Sequence, residues 1–335
     1  LYNGNKRLKT IQQEKLNNQM AELDVATSEN NIQESITQVY IQILYAAESV
    51  KVNENTLQVS IAQRDRGQEL LNAGSIAKSD LAQLEAQVST DRYQLVTAQA
   101  TLEDYKLQLK QLLELDGENE MNIYLPALSD ENVLAPLPTK RDVYISALSL
   151  RPEIEASKLN VEASELGINI AKSSYFPTIS LSAGIGTNHT SGSDFTFGEQ
   201  VKNGWNNSIG LSVSVPIFNN RQTKSAVQKA KLQYETSMLS LLDEQKALYK
   251  TIESLWLDAN SAQQRYAAAN EKLKSTQISY ELISEQFNLG MKNTVELLTE
   301  KNNLLQAQQE QLQAKYMAIL NTQLLKFYQG DQLAL

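Results

Sequence analysis

Asp80 and Glu296 each stand six residues after a glycine, Gly74 and Gly290, and Lys292 stands two residues after the second of these. A glycine in this setting ends one helix in the left-handed conformation. An acid placed just beyond it lies at the start of the next helix, where it offsets the partial positive charge of the exposed N–H groups. Ser79 or Asp80, and Asn293 or Thr294, are the side chains expected to cap these outgoing helices. Taken alone, Lys292 reads as a solvated loop lysine.

The remaining inventory of reactive groups is short. The chain has no Cys and a single His, His189. Disulfides, a thiolate zinc site, a cysteine nucleophile and a multi-histidine metal cluster are therefore ruled out. His189 lies among Gly, Ser, Thr and Asn and reads as a solvated loop residue. No acid, base and nucleophile set is visible, so the chemistry on offer is charge placement rather than catalysis, and neither enzyme activity nor a cofactor or metal is expected. With 30 basic and 39 acidic residues the net charge is −9, which argues against nucleic acid as a partner. No apolar run reaches the roughly 18 residues of a transmembrane helix.

The elements that position these charges form a tandem repeat. Phe287-Asn288-Leu289-Gly290 resembles Leu71-Asn72-Ala73-Gly74 at an offset of 216 residues (290 − 74). The same offset places Leu1-Tyr2-Asn3 on Ile217-Phe218-Asn219, Tyr40 on Trp256 and Asp80-Leu81 on Glu296-Leu297. Ile32, Ile36, Val39, Ile43, Ala46, Val50 and Leu57 follow a 4-3 spacing broken only at Asn53, and Leu248, Ile252, Leu255, Ala259, Ala262, Tyr266, Ala269 and Leu273 repeat it. Beyond the glycines, Leu81, Val88, Leu95, Leu102 and Leu109 recur every seventh residue, as do Leu298, Leu305, Leu312 and Ile319. A 3.5-residue period sustained this long means helices that supercoil around neighbours. The stripe is narrow and the other faces are polar, so these are not helices of a compact globule. Tyr40 and Trp256 are expected to be large knobs between helices. Each copy, about 115 residues, reads as one long helical hairpin with its turn at the glycine.

The middle segment differs. Pro126, Pro136 and Pro138 mark a linker from Gly117 to Pro138, and Arg141 to Ser173 is helical by spacing, with Pro152 near a start. From Thr178 the period becomes two. Ile179, Leu181, Ala183 and Ile185 alternate with Ser180, Ser182, Gly184 and Gly186, and later Ile209, Leu211, Val213 and Val215 alternate with Ser208, Gly210, Ser212 and Ser214. Two strands of about nine residues match the span of a tilted transmembrane strand. A polar loop, Asn188 to Asn206, separates them. Tyr175, Phe176, Trp205 and Phe218 flank them, where interfacial aromatics belong. A soluble exposed hairpin would alternate in the same way.

Long paired hairpins in tandem with a strand hairpin between them resemble the outer membrane efflux protein (TolC-like) family. The matching residues are Leu148-Ser149-Leu150-Arg151-Pro152-Glu153-Ile154, Ala171-Lys172-Ser173-Ser174-Tyr175-Phe176-Pro177, Val215-Pro216-Ile217-Phe218 and the turns at Gly74 and Gly290. The resemblance implies a mainly α fold: very long coiled-coil hairpins forming an α-barrel, with a membrane β-barrel hairpin between them. On that layout residues 1–116 are the first hairpin repeat, 117–140 a linker, 141–177 a helix leading to the membrane, 178–216 the β-hairpin with an extracellular loop at 188–206, and 217–335 the second repeat.

The implied protein is a homotrimer in the Gram-negative outer membrane, reaching into the periplasm, in contact with outer-membrane lipid, a periplasmic adaptor and an inner-membrane pump. It would be a passive exit duct of a tripartite efflux or type I secretion system. The resemblance makes Asp80 and Lys292 a latch and Glu296 the acid of the periplasmic aperture. It makes Gly74, Ile76, Gly290, Met291 and Val295 an adaptor-docking surface. Two positions depart from the family pattern: Phe287 replaces a latch tyrosine, and Thr299 replaces a second aperture acid, with Glu300 beside it. The family carries two strand hairpins per chain; since Leu1 aligns with Ile217, the other is expected before Leu1, in an N-terminal part missing here. The competing expectation is a non-porous trimeric coiled-coil spacer or adhesin of the cell envelope.

Overall fold

The computed structural model describes residues 1–115, 123–124 and 133–331. Most of the 117–138 linker, with Pro126, lies outside the described residues. In chain order the elements are β1 (Tyr2–Asn3), α1 (Lys6–Asn72), α2 (Lys78–Leu112), α3 (Lys140–Leu150), α4 (Pro152–Lys172), a 3-10 turn (Ser173–Tyr175), β2 (Thr178–Gly186), α5 (Phe197–Asn203), β3 (Asn206–Ser214), α6 (Gln222–Asn288) and α7 (Thr294–Gln329).

The duplication extends to the backbone. α1 and α6 each contain 67 residues, on the order of 100 Å of helix. They start 216 residues apart (222 − 6) and end 216 apart (288 − 72), and α2 and α7 start at the same separation (294 − 78). Even the left-handed residues that lead into the long helices correspond: Gly4 and Asn5, at φ 66° and 63°, match Asn220 and Arg221, at 48° and 59°.

The described residues form two compact units. One contains Ser28–Leu150 and Ala247–Leu335. Its core joins the stripe residues Ala262, Tyr266, Leu312 and Ile319 to Ile41, Leu44 and Tyr316, which lie outside the predicted stripes, and to Val133, and Tyr45 meets Tyr316 edge-on at 6.3 Å. Asn53, the break in the first stripe, is buried and hydrogen-bonds the Ser49 carbonyl at 2.8 Å, so the polar group is satisfied within its own helix. Ile32 departs from the expectation: it is half exposed, whereas its counterpart Leu248 is buried. Tyr40 and Trp256 are more than knobs. The Tyr40 hydroxyl donates to the Tyr124 carbonyl at 2.6 Å, and the Trp256 indole donates to the Pro138 carbonyl at 3.0 Å. The two matched aromatics thus each hold a backbone carbonyl outside the repeats, at Tyr124 and at Pro138.

The other unit contains Leu1–Thr27 and Arg151–Lys246. β1, β2 and β3 form an antiparallel sheet in that order. The predicted strand faces are in register: Ile179 pairs Val213, Leu181 pairs Leu211 and Ala183 pairs Ile209, while Ser180 pairs Ser212 and Ser182 pairs Gly210. Val215 lies just past the strand end. Two expectations are corrected. The single helix over 141–173 is broken at Arg151, which takes an extended conformation (φ −75°, ψ 122°) with Pro152 at the first position of α4, because the proline ring disfavours helical geometry in the residue before it. The polar loop also contains a helix: Thr196 accepts the Glu199 N–H while the Glu199 carboxylate accepts the Thr196 N–H, a complete capping box that starts α5.

Candidate functional site

The charged residues singled out at the turns sit in two tips of nearly identical backbone. Gly74 has φ 71° and Gly290 φ 74°. At the first tip the Gly74 and Ser75 N–H groups donate to the Leu71 and Leu70 carbonyls at 2.9 and 2.8 Å; at the second the Gly290 and Met291 N–H groups donate to Phe287 and Gln286 at 2.9 and 2.8 Å. Each is a Schellman closure, which needs the left-handed residue that glycine supplies without strain.

Beyond the turns the chemistry divides. At the second tip the Asn293 side chain accepts the Glu296 N–H at 2.9 Å, and the Glu296 carboxylate accepts the Asn293 N–H at 3.2 Å. Lys292 Nζ donates to Glu296 Oε1 at 2.6 Å. The Lys292 hydrogen bond first, and then that of the Asn293 N–H, hold the Glu296 carboxyl below the usual carboxylate range. At the first tip the residue before the helix is Ala77, which has no side-chain acceptor; Asp80 reaches back to accept the Ala77 N–H at 3.0 Å. Of the expected caps, Asn293 serves and Ser79 does not, and Asp80 acts from the third helical position. The structure therefore brings Lys292 to Glu296. Among the described residues of this one chain, no salt bridge joins Lys292 to Asp80.

Behind the tips lies an apolar floor of Leu84, Phe287 and Leu297, with Leu70, Tyr280 and Leu298 packed against it. Phe287, noted for its missing hydroxyl, is 2% exposed. The hydroxyl of this region belongs to Tyr280, which accepts from Gln63 Nε2 at 2.8 Å and so links α6 to α1. Met291 and Val295 are exposed on the outside of the second tip, and Ile76 is half exposed on the first. Thr299 is turned to its own helix, its hydroxyl donating to the Val295 carbonyl at 2.7 Å, and Glu300 accepts from Ser279 at 3.0 Å.

About three turns above the tips is a cluster that the sequence analysis missed. Lys301 on α7 donates to both Asp91 on α2 and Ser60 on α1, and Ser60 donates to Asp91. Gln87 adds a fourth bond, to Asp91 Oδ1 at 2.9 Å. Burial pushes the Lys301 ammonium down, while the Asp91 hydrogen bond and charge oppose that shift. The signal was present: Ser60 follows Leu57 by three, Asp91 follows Val88 by three, and Lys301 follows Leu298 by three, so all three occupy positions of the apolar stripe.

The two-stranded ribbon is the second candidate region. Its apolar face is uncovered in the chain: Leu181 is 56% and Ile209 83% exposed. Nine residues of strand span about 30 Å. Tyr175, Phe176 and Phe218 lie by the Thr178/Ser214 end, Trp205 adjoins Asn206 at the other, and all four are exposed. Phe195, just before α5, and Phe197, its first residue, which the sequence reading did not single out, are exposed. No helix among the described residues is long and apolar enough to cross a membrane.

The profile of one family, "Outer membrane efflux protein", matches residues 143–330, more than half of the chain. The outer membrane efflux protein BepC of Brucella suis biovar 1 is 24% identical over 299 residues, covering 89% of this chain and 62% of that protein. The outer membrane protein TolC of Escherichia coli K12 is 24% identical over 291 residues, covering 84% of this chain and 58% of that protein. The chain thus spans about three-fifths of the length of these relatives. Among solved structures, CusC, described through the conformational changes that accompany its folding and transmembrane channel formation, superposes with a TM-score of 0.84 at 18% identity, over 98% of this chain and 75% of that one.

Proposed function

We propose a duct function for a chain that belongs to the outer membrane efflux protein family: it is part of an outer-membrane channel-tunnel, a passive exit path of a tripartite efflux or type I secretion system, closed at its periplasmic tips. The observation that carries this reading is the β2–β3 ribbon, whose apolar face is bare from Leu181 to Ile185 and from Ile209 to Val213 while its other face is Ser and Gly. In water such a face is a liability. In lipid it is the stable outer surface of a barrel, and the small polar face lines the lumen.

An open ribbon cannot stop there. The outer edge of β3 carries unpaired N–H and C=O groups that hydrocarbon does not satisfy, so the ribbon must join further strands and close. Three copies of the chain, in contact with outer-membrane lipid, share that barrel. Tyr175, Phe176 and Phe218 at one end and Trp205 at the other sit at the two membrane surfaces. The helical hairpins extend into the periplasm, where half-exposed Ile32 is covered by a helix of a neighbouring copy.

The tips form the gate. Glu296 lines the aperture and Lys292 holds it in place, while Asp80 remains available to the lysine of an adjacent copy, the latch that no single chain makes. Ion pairs at such exposure are weak, because water and salt screen them, which suits a closure that must also open. Ile76, Met291 and Val295 beside the Gly74 and Gly290 turns offer an apolar helix-packing contact to a periplasmic adaptor that bridges to an inner-membrane pump. The pump supplies energy and the duct has no chemical step.

Planar-bilayer recording of the full-length protein tests this directly. A pore is expected, with conductance raised by the paired change Asp80→Asn with Lys292→Gln. Absence of current at any voltage would leave the non-porous spacer as the reading.

A further inference from the structure

We propose that Ser60, Asp91 and Lys301 form a register pin that locks α7 to the first hairpin, so that gate movement is confined to the helical turns between the pin and the tips. The proposal rests on the duct reading above and adds to it the place where motion stops.

The three residues come from three helices and are 2%, 1% and 3% exposed. Their groups close on one another: the ammonium donates to the hydroxyl and the carboxylate, and the hydroxyl donates to the same carboxylate. A buried ion pair contributes little stability beyond apolar side chains of the same volume, yet leaving one charge alone is costly. Its physical value is directional. Leu and Val at stripe positions pack almost equally well if one helix shifts by a heptad, whereas Asp91 has a single lysine to meet. One polar pair in an apolar seam therefore fixes register.

The repeat sharpens this point. At the offset of 216, Asp91 corresponds to Ala307, Lys301 to Glu85 and Ser60 to Thr276. Ala307 is fully buried, Glu85 is exposed, and the Thr276 hydroxyl donates to the carbonyls of Lys272 and Leu273 in its own helix. Among the described residues the pin is thus made in one repeat, and no ion pair joins the equivalent positions of the other. Below the pin lie the Leu84, Phe287 and Leu297 floor and the two exposed turns. From Lys301 to Gly290 is eleven residues (301 − 290), about three turns of helix. Above the pin the helices move as one body; below it they can part.

The test uses the full-length protein in bilayers, with conductance and unfolding midpoint measured on the same preparations. Asp91→Leu and Lys301→Met singly each leave a buried charge alone, and both should lower the midpoint by about 5–10 °C and raise conductance severalfold. The double variant Asp91→Leu with Lys301→Met should recover the midpoint and keep the raised conductance, because packing is restored and register is not. The reversed pair Asp91→Lys with Lys301→Asp should return conductance towards that of the parent. A double variant that conducts like the parent overturns the pin and leaves a purely structural ion pair. Lys292→Gln serves as the separate arm: a rise there without one in the double variant removes the pin and spares the gate, while no pore in any protein removes the duct reading itself.

Discussion

At Gly74 the chain turns into a helix whose start is held by one carboxylate, that of Asp80; at Gly290 the same turn leads into a helix held by Asn293, Glu296 and Lys292 together. Ala77 stands where Asn293 stands, and Ile76 where Lys292 stands. The backbone of the two tips is preserved to within a few degrees at the glycine, so their difference is entirely one of side chains. Glycine and the two carbonyls it caps specify the turn. The residues that follow decide how firmly the outgoing helix is nailed down and which charges it shows. The second tip is cross-braced, and the first is lightly tied.

The comparison is broken most forcefully from beneath. Phe287 fills the floor between the tips at 2% exposure, whereas its counterpart Leu71 is only half buried. Phe287→Ala should destabilise by about 3–5 kcal/mol, the usual range for a buried aromatic truncated to alanine. Leu71→Ala should cost about 1 kcal/mol, since much of its surface already meets water. Urea unfolding of both variants checks this. Equal losses would mean that the two tips share the floor evenly.

The caps allow the difference to be exchanged. Asn293→Ala removes the acceptor for the Glu296 N–H and should cost about 1 kcal/mol. Ala77→Asn supplies a side-chain acceptor, where the Asp80 N–H now has the Ala77 carbonyl at 3.1 Å, at an already extended residue (φ −85°, ψ 161°) and should gain about 0.5 kcal/mol. Amide exchange at Asp80 and Glu296 reads each change locally: protection should fall at the second tip and rise at the first. A loss at the first tip on Ala77→Asn would show that the half box of Asp80 already satisfies it.

Much of this was legible beforehand, because long periods and glycines are strong signals. The 3.5-residue stripe located α1, α2, α6 and α7, and the period-two runs located β2 and β3 with their faces in register. Less was legible where two local rules competed. Pro152 fits the first turn of a helix, but the same ring forces Arg151 out of helical geometry, so the helix splits there. Thr196 and Glu199 carry a capping box inside a stretch whose Gly, Ser and Asn content reads as loop. By sequence Asp80 reads as a cap in its own right, yet it works by reaching back three residues. Asp91 and Lys301 were hidden for a different reason. A period search scores apolar positions and passes over the charges that interrupt them, and only in three dimensions do two such interruptions on separate helices become a pair.

The smallest effect, and the one most specific to the second tip, is its response to acid. The carboxyl of Glu296 is held below its ordinary range chiefly by the Lys292 hydrogen bond and then by the Asn293 N–H. A group whose folded value is depressed stabilises fully above its unfolded value and loses that contribution as pH falls through the folded one. The second tip should therefore be at its firmest near neutrality and loosen only when pH drops below the normal glutamate range, as the protonated carboxyl releases Lys292. Ile76 gives the first tip no lysine to release. Conductance recorded from neutral to acid pH should rise at the acid end, and Glu296→Gln should show the raised value already at neutral pH with the acid step removed. An acid step of unchanged size in Glu296→Gln would assign the response to another carboxylate and reduce the contrast between the tips to their caps.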